Sequence, residues 1–198
     1  MNYRNPIFTI NIIAKQIYFL IGKINILNAL LWGVKLGRNT KFDGKCHFER
    51  FPGTIISIGD NCQFRSRENS NLIGINRPCS LSTINSKYRA KIEIGSNCGF
   101  SGTVIGAFKN IKIGNNVRCG ANTLITDSDW HLDDPRSGEP LDVEIGDNVW
   151  LGVNTVVLKG VSIGKNTVIG ANSVVTKSIP ENIIAAGNPC RVIKKIEP

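Results

Sequence analysis

His131 is the residue whose type and neighbours best suit catalysis in this 198-residue chain. It lies in an acidic segment, residues 125–134, with the sequence Ile-Thr-Asp-Ser-Asp-Trp-His-Leu-Asp-Asp. Neighbouring carboxylates fix the tautomer of an imidazole and stabilise the imidazolium that forms when the ring accepts a proton. If residues 127–131 are extended, Asp127, Asp129 and His131 project to the same side. The pattern is compatible with a general base, His131, and Asp129 is the candidate catalytic acid beside it, while which acid orients the imidazole stays open. The alternative is an exposed loop histidine that pairs with an acid.

A six-residue repeat surrounds this segment and must position it. An aliphatic residue recurs at every sixth place, and Asn or Gly follows three places later. This period is typical of a parallel β-helix, in which each hexapeptide forms one side of a coil and its aliphatic side chain points inward. Asn and Gly then occupy the turns because they tolerate positive φ. The aliphatic positions of the most regular part are Ile145, Leu151, Val157, Ile163, Ile169 and Val175.

Three sides make a coil of eighteen residues, and the tetrapeptide that starts a coil recurs along the chain. From Ile58 to Ile94 the interval is thirty-six residues, which predicts two coils, the second a degenerate one starting at Asn76. From Ile113 to Ile145 it is thirty-two, which predicts one coil plus a fourteen-residue insertion. The chain therefore divides into residues 1–33 and a β-helix domain, residues 34–198, with an extended loop at about 127–144. Insertions in solenoids often carry function, and this one contains His131.

The helical spacing of apolar residues in residues 1–33 predicts one amphipathic helix that begins near Asn5-Pro6. Polar residues interrupt it too often for a membrane-spanning segment, and no small-residue cleavage site follows it as in a signal peptide. Residues 1–50 hold eight Lys or Arg against two acids, within a net charge of +9 for the chain. We expect the helix to cap the open end of the solenoid, to form a subunit contact or to lie on a membrane interface. Its apolar side consists of Ile10, Ile13, Ile17, Leu20, Ile24, Leu27 and Leu31.

The six cysteines indicate a reduced, cytoplasmic protein. No CxxC pair exists, and Cys62 and Cys98 occupy core positions of the repeat. They are interpreted as small core residues rather than as disulfides or metal ligands. Nucleic-acid binding has only the net charge in its favour, because the sequence lacks a platform of alternating aromatic and basic residues.

Three segments of the C-terminal half resemble the hexapeptide-repeat acyltransferases, most closely the sugar O-acetyltransferases of the maltose and galactoside type. They are Asp147-Asn-Val-Trp-Leu-Gly152, Gly170-Ala-Asn-Ser-Val-Val-Thr-Lys177, and the ending from Ile179 to Lys194 that contains Ala-Ala-Gly-Asn-Pro-Cys-Arg. The resemblance implies a left-handed β-helix, a homotrimer, acetyl-CoA as co-substrate and a sugar or surface-polysaccharide precursor as acceptor. It also implies that His131 holds the position of the catalytic histidine. The residues implied to bind acetyl-CoA are Trp150, Gly152, Gly170, Ala171, Thr176, Lys177, Arg191 and Lys194.

Other functions on the same scaffold stay open or fail on particular residues. A γ-class carbonic anhydrase binds its metal through three histidines, whereas this chain has only His131 and His47, of which His47 is interpreted as structural. We therefore expect no metal site. An acetyltransferase that acts on an antibiotic or another small-molecule hydroxyl is an alternative, and so is a non-catalytic trimeric scaffold. Acceptor residues are expected in the early coils, at residues 65–69 and 87–89.

Overall fold

Successive hexapeptides form short strands that wind into three parallel sheets. The computed structural model describes residues 6–84 and 87–197. The fold is a left-handed parallel β-helix preceded by one helix, α1 (Pro6–Leu31). One 3₁₀ turn, Glu68–Ser70, interrupts the strands. The strands are β1 (Lys35–Leu36), β2 (Lys41–Asp43), β3 (His47–Arg50), β4 (Ile55–Ile58), β5 (Gln63–Arg65), β6 (Ser80–Thr83), β7 (Lys91–Ile94), β8 (Gly99–Ser101), β9 (Val104–Ala107), β10 (Asn110–Ile113), β11 (Arg118–Ala121), β12 (Leu124–Thr126), β13 (Val143–Ile145), β14 (Trp150–Leu151), β15 (Val156–Val157), β16 (Ser162–Ile163), β17 (Val168–Ile169), β18 (Val174–Val175), β19 (Ile183–Ala186) and β20 (Arg191–Lys195).

Up to β18, every third strand joins the same sheet. The first sheet runs β1-β4-β7-β10-β13-β16, the second β2-β5-β8-β11-β14-β17-β19-β20, and the third β3-β6-β9-β12-β15-β18. All neighbours within a sheet are parallel except β19 and β20 at the C-terminal end. Two of the three edges of the prism carry the candidate chemistry. We call the edge between the second and third sheets the groove edge (residues 120–123, 152–155 and 170–173) and the edge between the third and first sheets the loop edge (residues 127–142, 158–161 and 176–178).

The repeat works as the sequence predicts. Ile145 and Ile163 are paired in register in the first sheet, and both are buried. At the turns, Asn148 and Asn166 have φ of 58° and 57°, and the side-chain amide of Asn148 donates to Oδ1 of Asn166 at 3.0 Å. Asparagine therefore has two roles in these turns: it tolerates the left-handed conformation, and its side chain links one coil to the next through a hydrogen bond.

The prediction of two coils between Ile58 and Ile94 is wrong. These two residues are direct partners in the pairing of β4 with β7, so the thirty-six residues form a single coil. The extra length lies in two insertions: residues 66–79 at the groove edge, and the connection from β6 to β7 at the loop edge, of which residues 84 and 87–90 are described. Asn76 starts no coil, and its N–H donates to the Asn122 side chain at 3.1 Å. The third insertion is the expected one, and it occupies residues 127–142 between β12 and β13.

Helix α1 covers the open end of the solenoid with its polar side. The side chain of Asn25, 3% exposed, accepts from the Cys46 N–H at 2.8 Å and donates to the Gly44 carbonyl at 2.8 Å. Ala29 is fully buried in the same core. The helix ends at Leu31, and Gly33 follows with φ of 68°, a left-handed conformation that glycine adopts without steric cost.

The apolar side of α1 faces away from the solenoid. Its described members range from 51% exposed for Ile17 to 78% for Leu31. Ile10 and Ile13 belong to the predicted stripe, but their side chains lie outside the described residues. Among the described residues, no helix combines the length and apolar character needed to cross a bilayer.

All six cysteines are buried, as their positions in the repeat predict. Desolvation raises the pKa of the thiols of Cys46, Cys79 and Cys119, which keeps these side chains neutral. They fill the interior together with a stack of three phenylalanines. The rings of Phe42, Phe64 and Phe100 lie 5.2 and 4.8 Å apart along the second sheet.

Candidate active site

The loop that carries His131 is anchored at its first residue. Asp127 is fully buried, and its carboxylate accepts N–H bonds from Phe108, Lys109 and Asn110, each at 2.7 Å. Desolvation raises the pKa of Asp127, and the three N–H donors act in the opposite direction. Its carbonyl accepts from the Leu141 N–H at 2.9 Å, which closes the loop. Asp127 therefore joins the loop to the preceding coil.

Trp130 is held in an unusual conformation. Its φ is 70°, which is a rare value for a bulky residue and indicates a constraint imposed by the surroundings. The indole lies over Gly106, where an added Cβ would come within 2.4 Å of the ring. It also meets the ring of Phe108 edge-on at 5.4 Å. With 38% of its surface exposed, Trp130 presents a flat apolar face next to His131.

Asp129 binds the neighbouring coil rather than the imidazole. Its carboxylate pairs with Lys159 and accepts the Gly138 N–H at 3.3 Å. The hydrogen bond from Lys159, more than that from Gly138, lowers the pKa of Asp129. Lys159 belongs to the turn after β15, so this ion pair ties the middle of the loop to the solenoid. The predicted pairing of Asp129 with His131 is not among the side-chain contacts of the described residues.

His131 lies exposed at the tip of this anchored loop. Its N–H donates to the Asp129 carbonyl at 2.9 Å, and its own carbonyl accepts from the Asp134 N–H at 3.1 Å. The expectation that residues 127–131 are extended is wrong, because bends and the positive φ of Trp130 turn the backbone. Asp127 consequently points into the protein. The Arg136 guanidinium lowers the pKa of Asp134 to about 2, with a smaller contribution from His131.

A groove of about 440 Å³ runs along the second sheet at the groove edge. Glycines stack there because successive coils approach closely: a Cβ on Gly152 would lie 2.5 Å from the Ala171 nitrogen, and one on Gly170 2.7 Å from the Ala186 Cβ. The result is a narrow channel of closely stacked backbone, and the exposed Trp150 is among its lining residues. Insertion 66–79 forms the facing wall through Asn71 and Ile73. Four residues predicted to bind acetyl-CoA line this groove, namely Trp150, Gly152, Gly170 and Ala171.

Basic residues continue from the groove toward the C terminus. Trp150, Val168, Ile184 and Lys194 are successive partners across the second sheet, so their side chains form one row on its outer face. Three strand spacings of about 4.8 Å separate Trp150 from Lys194. Arg191 pairs with Ala186, whose side chain lies against Gly170. Groove, apolar row and cations thus form one continuous surface.

The remaining predicted residues lie on the loop edge. Thr176 and Lys177 follow β18, and Lys177 occupies the position eighteen residues after Lys159. They therefore share an edge with His131 and Asp129, while Gly152, Gly170 and Ala171 lie across the third sheet from them. Within one chain, the structure does not bring the predicted general base together with the predicted groove residues.

Sequence reasoning missed several residues that shape the two edges. Lys159 could have been found from its register, since it falls in the turn that stacks on the loop. The link between Tyr88 and Glu139, which joins residues 87–90 to the His131 loop, has no signal in the repeat. Asn71 and Ile73 precede Asn76, in the stretch interpreted as the first of two coils after Ile58. Among the described residues, no cluster of three His, Cys, Asp or Glu side chains is placed to hold a metal ion.

Comparison with known proteins agrees with this architecture. A family model described as bacterial transferase hexapeptide (six repeats) matches residues 142–177. Protein CapG of Staphylococcus aureus is 39% identical over 115 residues, which cover 54% of this chain and 67% of CapG. The chain belongs to the bacterial hexapeptide transferase family.

Two further members of this family resemble the chain. Galactoside O-acetyltransferase of Escherichia coli (strain K12) is 42% identical over 115 residues, 55% of this chain and 56% of that protein. The chain thus spans about half the length of the first curated relatives it matches. The crystal structure of a hexapeptide-repeat containing acetyltransferase of Vibrio cholerae, complexed with acetyl coenzyme A, covers 100% of this chain and 93% of its own with a TM-score of 0.56. At 20% identity this last likeness shows the fold.

Proposed function

We propose that this protein is an acetyl-CoA-dependent O-acetyltransferase that acetylates a hydroxyl of a sugar or polysaccharide precursor. The observation that carries the proposal is the division of the site between two edges. His131 lies on the loop edge, and the groove with its glycines lies on the groove edge. A homotrimer that packs the loop edge of one subunit against the groove edge of the next would complete three identical sites.

His131 acts as the general base in this proposal. The imidazole accepts the proton of the acceptor hydroxyl while that oxygen attacks the thioester carbonyl. The resulting tetrahedral intermediate expels the thiolate of CoA, which recovers the proton from the imidazolium. The transfer is direct and requires no covalent enzyme intermediate. Asp129 contributes by fixing the loop through Lys159, so we assign it a positioning role.

The groove suits the donor chemically. Coenzyme A combines a thin, neutral pantetheine arm with a cluster of phosphates. The glycine channel offers exposed backbone groups to the arm, and Arg191 and Lys194 lie where the row of apolar side chains ends. Charge-assisted hydrogen bonds from these cations would hold the phosphates. On the adjoining subunit, Thr176 and Lys177 would face the same donor. Since acetyl-CoA is supplied in the cytoplasm and the six cysteines are buried and free of disulfides, we place the reaction there.

Trp130 favours a sugar as acceptor. Aromatic rings bind the apolar faces of sugar rings, and this indole lies exposed beside the proposed base while Gly106 and Phe108 fix its plane. The galactoside O-acetyltransferase relative supports the same class of acceptor. An acceptor hydroxyl held over Trp130 would lie next to the imidazole.

A complementation experiment tests the shared site. His131→Ala disables the loop edge, and Ala171→Trp fills the groove edge. Each variant alone should be inactive. After subunit exchange, about a quarter of the interfaces should pair an intact loop edge with an intact groove edge and recover activity. Acetyl transfer to a panel of sugars is followed by the free thiol of released CoA.

Thr176→Trp provides the matched control. Thr176 lies on the same edge as His131, so every loop edge in a mixture of Thr176→Trp and His131→Ala subunits carries one of the two changes. This mixture should therefore recover no activity, unless the two residues serve different sites. Failure of His131→Ala and Ala171→Trp to complement each other despite proven exchange would contradict the shared site. A fully active monomer in sedimentation at assay concentration would contradict the trimer.

A further inference from the structure

Helix α1 presents an unpartnered apolar stripe on the side opposite its contact with the solenoid. Asn25 and Ala29 face the protein, while the stripe lies about half a turn of the helix away from them. Each stripe residue is more than half exposed. Large side chains at this spacing and exposure need a partner surface. The helix stripe consists of Ile17, Leu20, Ile24, Leu27 and Leu31.

Lysines lie along both sides of the helix stripe. Lys45 borders the groove formed with Ile24, Leu27 and Leu31, and Lys41 borders the groove on the other side of the helix. Lys41 and Lys45 are both exposed, and neither takes part in an ion pair among the described residues. Asp43, the acid between them, is bound to Arg67. Lys41 and Lys45 therefore place positive charge on both sides of the apolar stripe.

Trp32 follows the helix directly and is 41% exposed. The Arg50 side chain fixes its backbone through a hydrogen bond from Nε to the Trp32 carbonyl at 2.7 Å. An indole at the end of an apolar stripe suits the boundary between hydrocarbon and water. Stripe, lysines and indole together have the composition of an interfacial helix, which lies in the membrane plane with its apolar face buried.

We propose that the helix stripe binds an anionic lipid surface and thereby docks the capped end of the solenoid on a membrane. Charge decides between this partner and a second copy of the chain. Two copies that joined their stripes would bring Lys41 and Lys45 of one against the same lysines of the other, whereas anionic headgroups would neutralise them. The inference does not depend on the acetyl-transfer reaction.

Vesicle sedimentation of the full chain tests the proposal. The protein should sediment with phosphatidylcholine vesicles that contain phosphatidylglycerol, more weakly with phosphatidylcholine alone, and less as salt is raised. Leu20→Ser combined with Leu27→Ser should lower partitioning roughly tenfold or more, since two apolar side chains no longer enter the lipid. Lys41→Gln combined with Lys45→Gln should weaken binding only to the anionic vesicles.

Leu72→Ser is the matched control, because Leu72 is fully exposed in insertion 66–79, away from the helix. It should bind vesicles as the wild type does. All variants should unfold at the wild-type temperature, as the changed residues are exposed. Absence of wild-type binding to the anionic vesicles at low salt would overturn the proposal, and so would unchanged binding of the double serine variant. If sedimentation velocity without lipid shows a smaller species for the double serine variant than for the wild type, the stripe is a contact between copies instead.

Discussion

The groove edge and the loop edge flank the same sheet, but the glycines that shape the groove follow the repeat, whereas the loop that carries His131 departs from it. At the groove edge, Gly152 and Gly170 lie eighteen residues apart, and each leaves room for the coil that follows. The backbone spacing of the solenoid therefore shapes this edge. The loop edge is shaped by individual contacts. The main ones are the hydrogen bonds of the buried Asp127 carboxylate and the packing of the Trp130 indole over Gly106.

This difference matches the two tasks of the proposed transferase site. A donor with a long arm suits a regular channel, and a period of eighteen residues builds one without dedicated side chains. Proton transfer requires one imidazole at a defined place, which a repeat does not provide. The His131 loop leaves the solenoid and is then fastened back to it at Asp127, Asp129 and Leu141. Changes at the two edges should accordingly affect different kinetic constants.

The largest effect should come from His131→Ala. Loss of a general base typically lowers turnover by about 10²- to 10⁴-fold, while the KM for acetyl-CoA should change little because the groove is on another edge. The measurement is steady-state acetyl transfer with both substrates varied. His47→Ala is the control, since His47 lies on the third sheet and its imidazole Nε2 is 3.7 Å from a Glu49 carboxylate oxygen. Equal loss in both variants would remove His131 from the mechanism.

Lys194→Ala should mainly affect the donor. Removal of a charge-assisted contact to phosphate should raise the KM for acetyl-CoA roughly tenfold, with a smaller change for the acceptor. Comparison with a donor that lacks the 3′-phosphate identifies the contact. With that donor, the KM of Lys194→Ala should be close to the KM of the wild type, because neither protein can then bind the missing phosphate. Lys91→Ala, an exposed lysine on the first sheet, should behave normally. Equal damage with both donors would exclude a contact of Lys194 with that phosphate.

The repeat could be predicted because its cause is local. Burial of one aliphatic residue in six and tolerance of positive φ at Asn are visible in the sequence, and Ile145, Ile163 and Asn148 lie where their types require. The thirty-six residues from Ile58 were misassigned because an insertion at the groove edge contains aliphatic and Asn residues of its own. Length alone does not distinguish an insertion from an irregular coil.

Which side of an element faces the protein was harder to predict. The apolar period of α1 indicates two sides but not which one meets the solenoid. Asn25 decides this through hydrogen bonds to Gly44 and Cys46, residues about twenty positions away. The same limit applies to Asp127 and Asp129, whose partners Phe108 and Lys159 lie in neighbouring coils. Contacts between coils depend on stacking that no single segment reveals.

Gly106→Ala should disturb the loop edge without touching the groove. The new Cβ would lie 2.4 Å from the indole, so Trp130 must move, and displacement of the acceptor surface should raise the acceptor KM by roughly three- to tenfold. The KM for acetyl-CoA should remain near the wild-type value. Gly99→Ala is a matched control on the second sheet, where an added Cβ meets nothing within 4 Å. An unchanged acceptor KM in Gly106→Ala would show that the position of Trp130 does not matter for the acceptor.

The smallest effect should be the pH dependence of the Asp129–Lys159 contact. Lys159 lowers the pKa of Asp129, so the contact stabilises the fold fully above the ordinary Asp pKa of about 3.9 and is lost as pH falls through the lower, folded value. Because Asp129 is partly exposed, solvent screening limits the contribution to about 0.5–1 kcal/mol. Asp129→Asn should therefore unfold about 1–4 °C below the wild type near neutral pH, and the two curves should converge in acid. Asp133→Asn, in the same loop, should show no such difference. A gap between Asp129→Asn and the wild type that persists at the lowest pH would mean that the loop is held by something other than this ion pair.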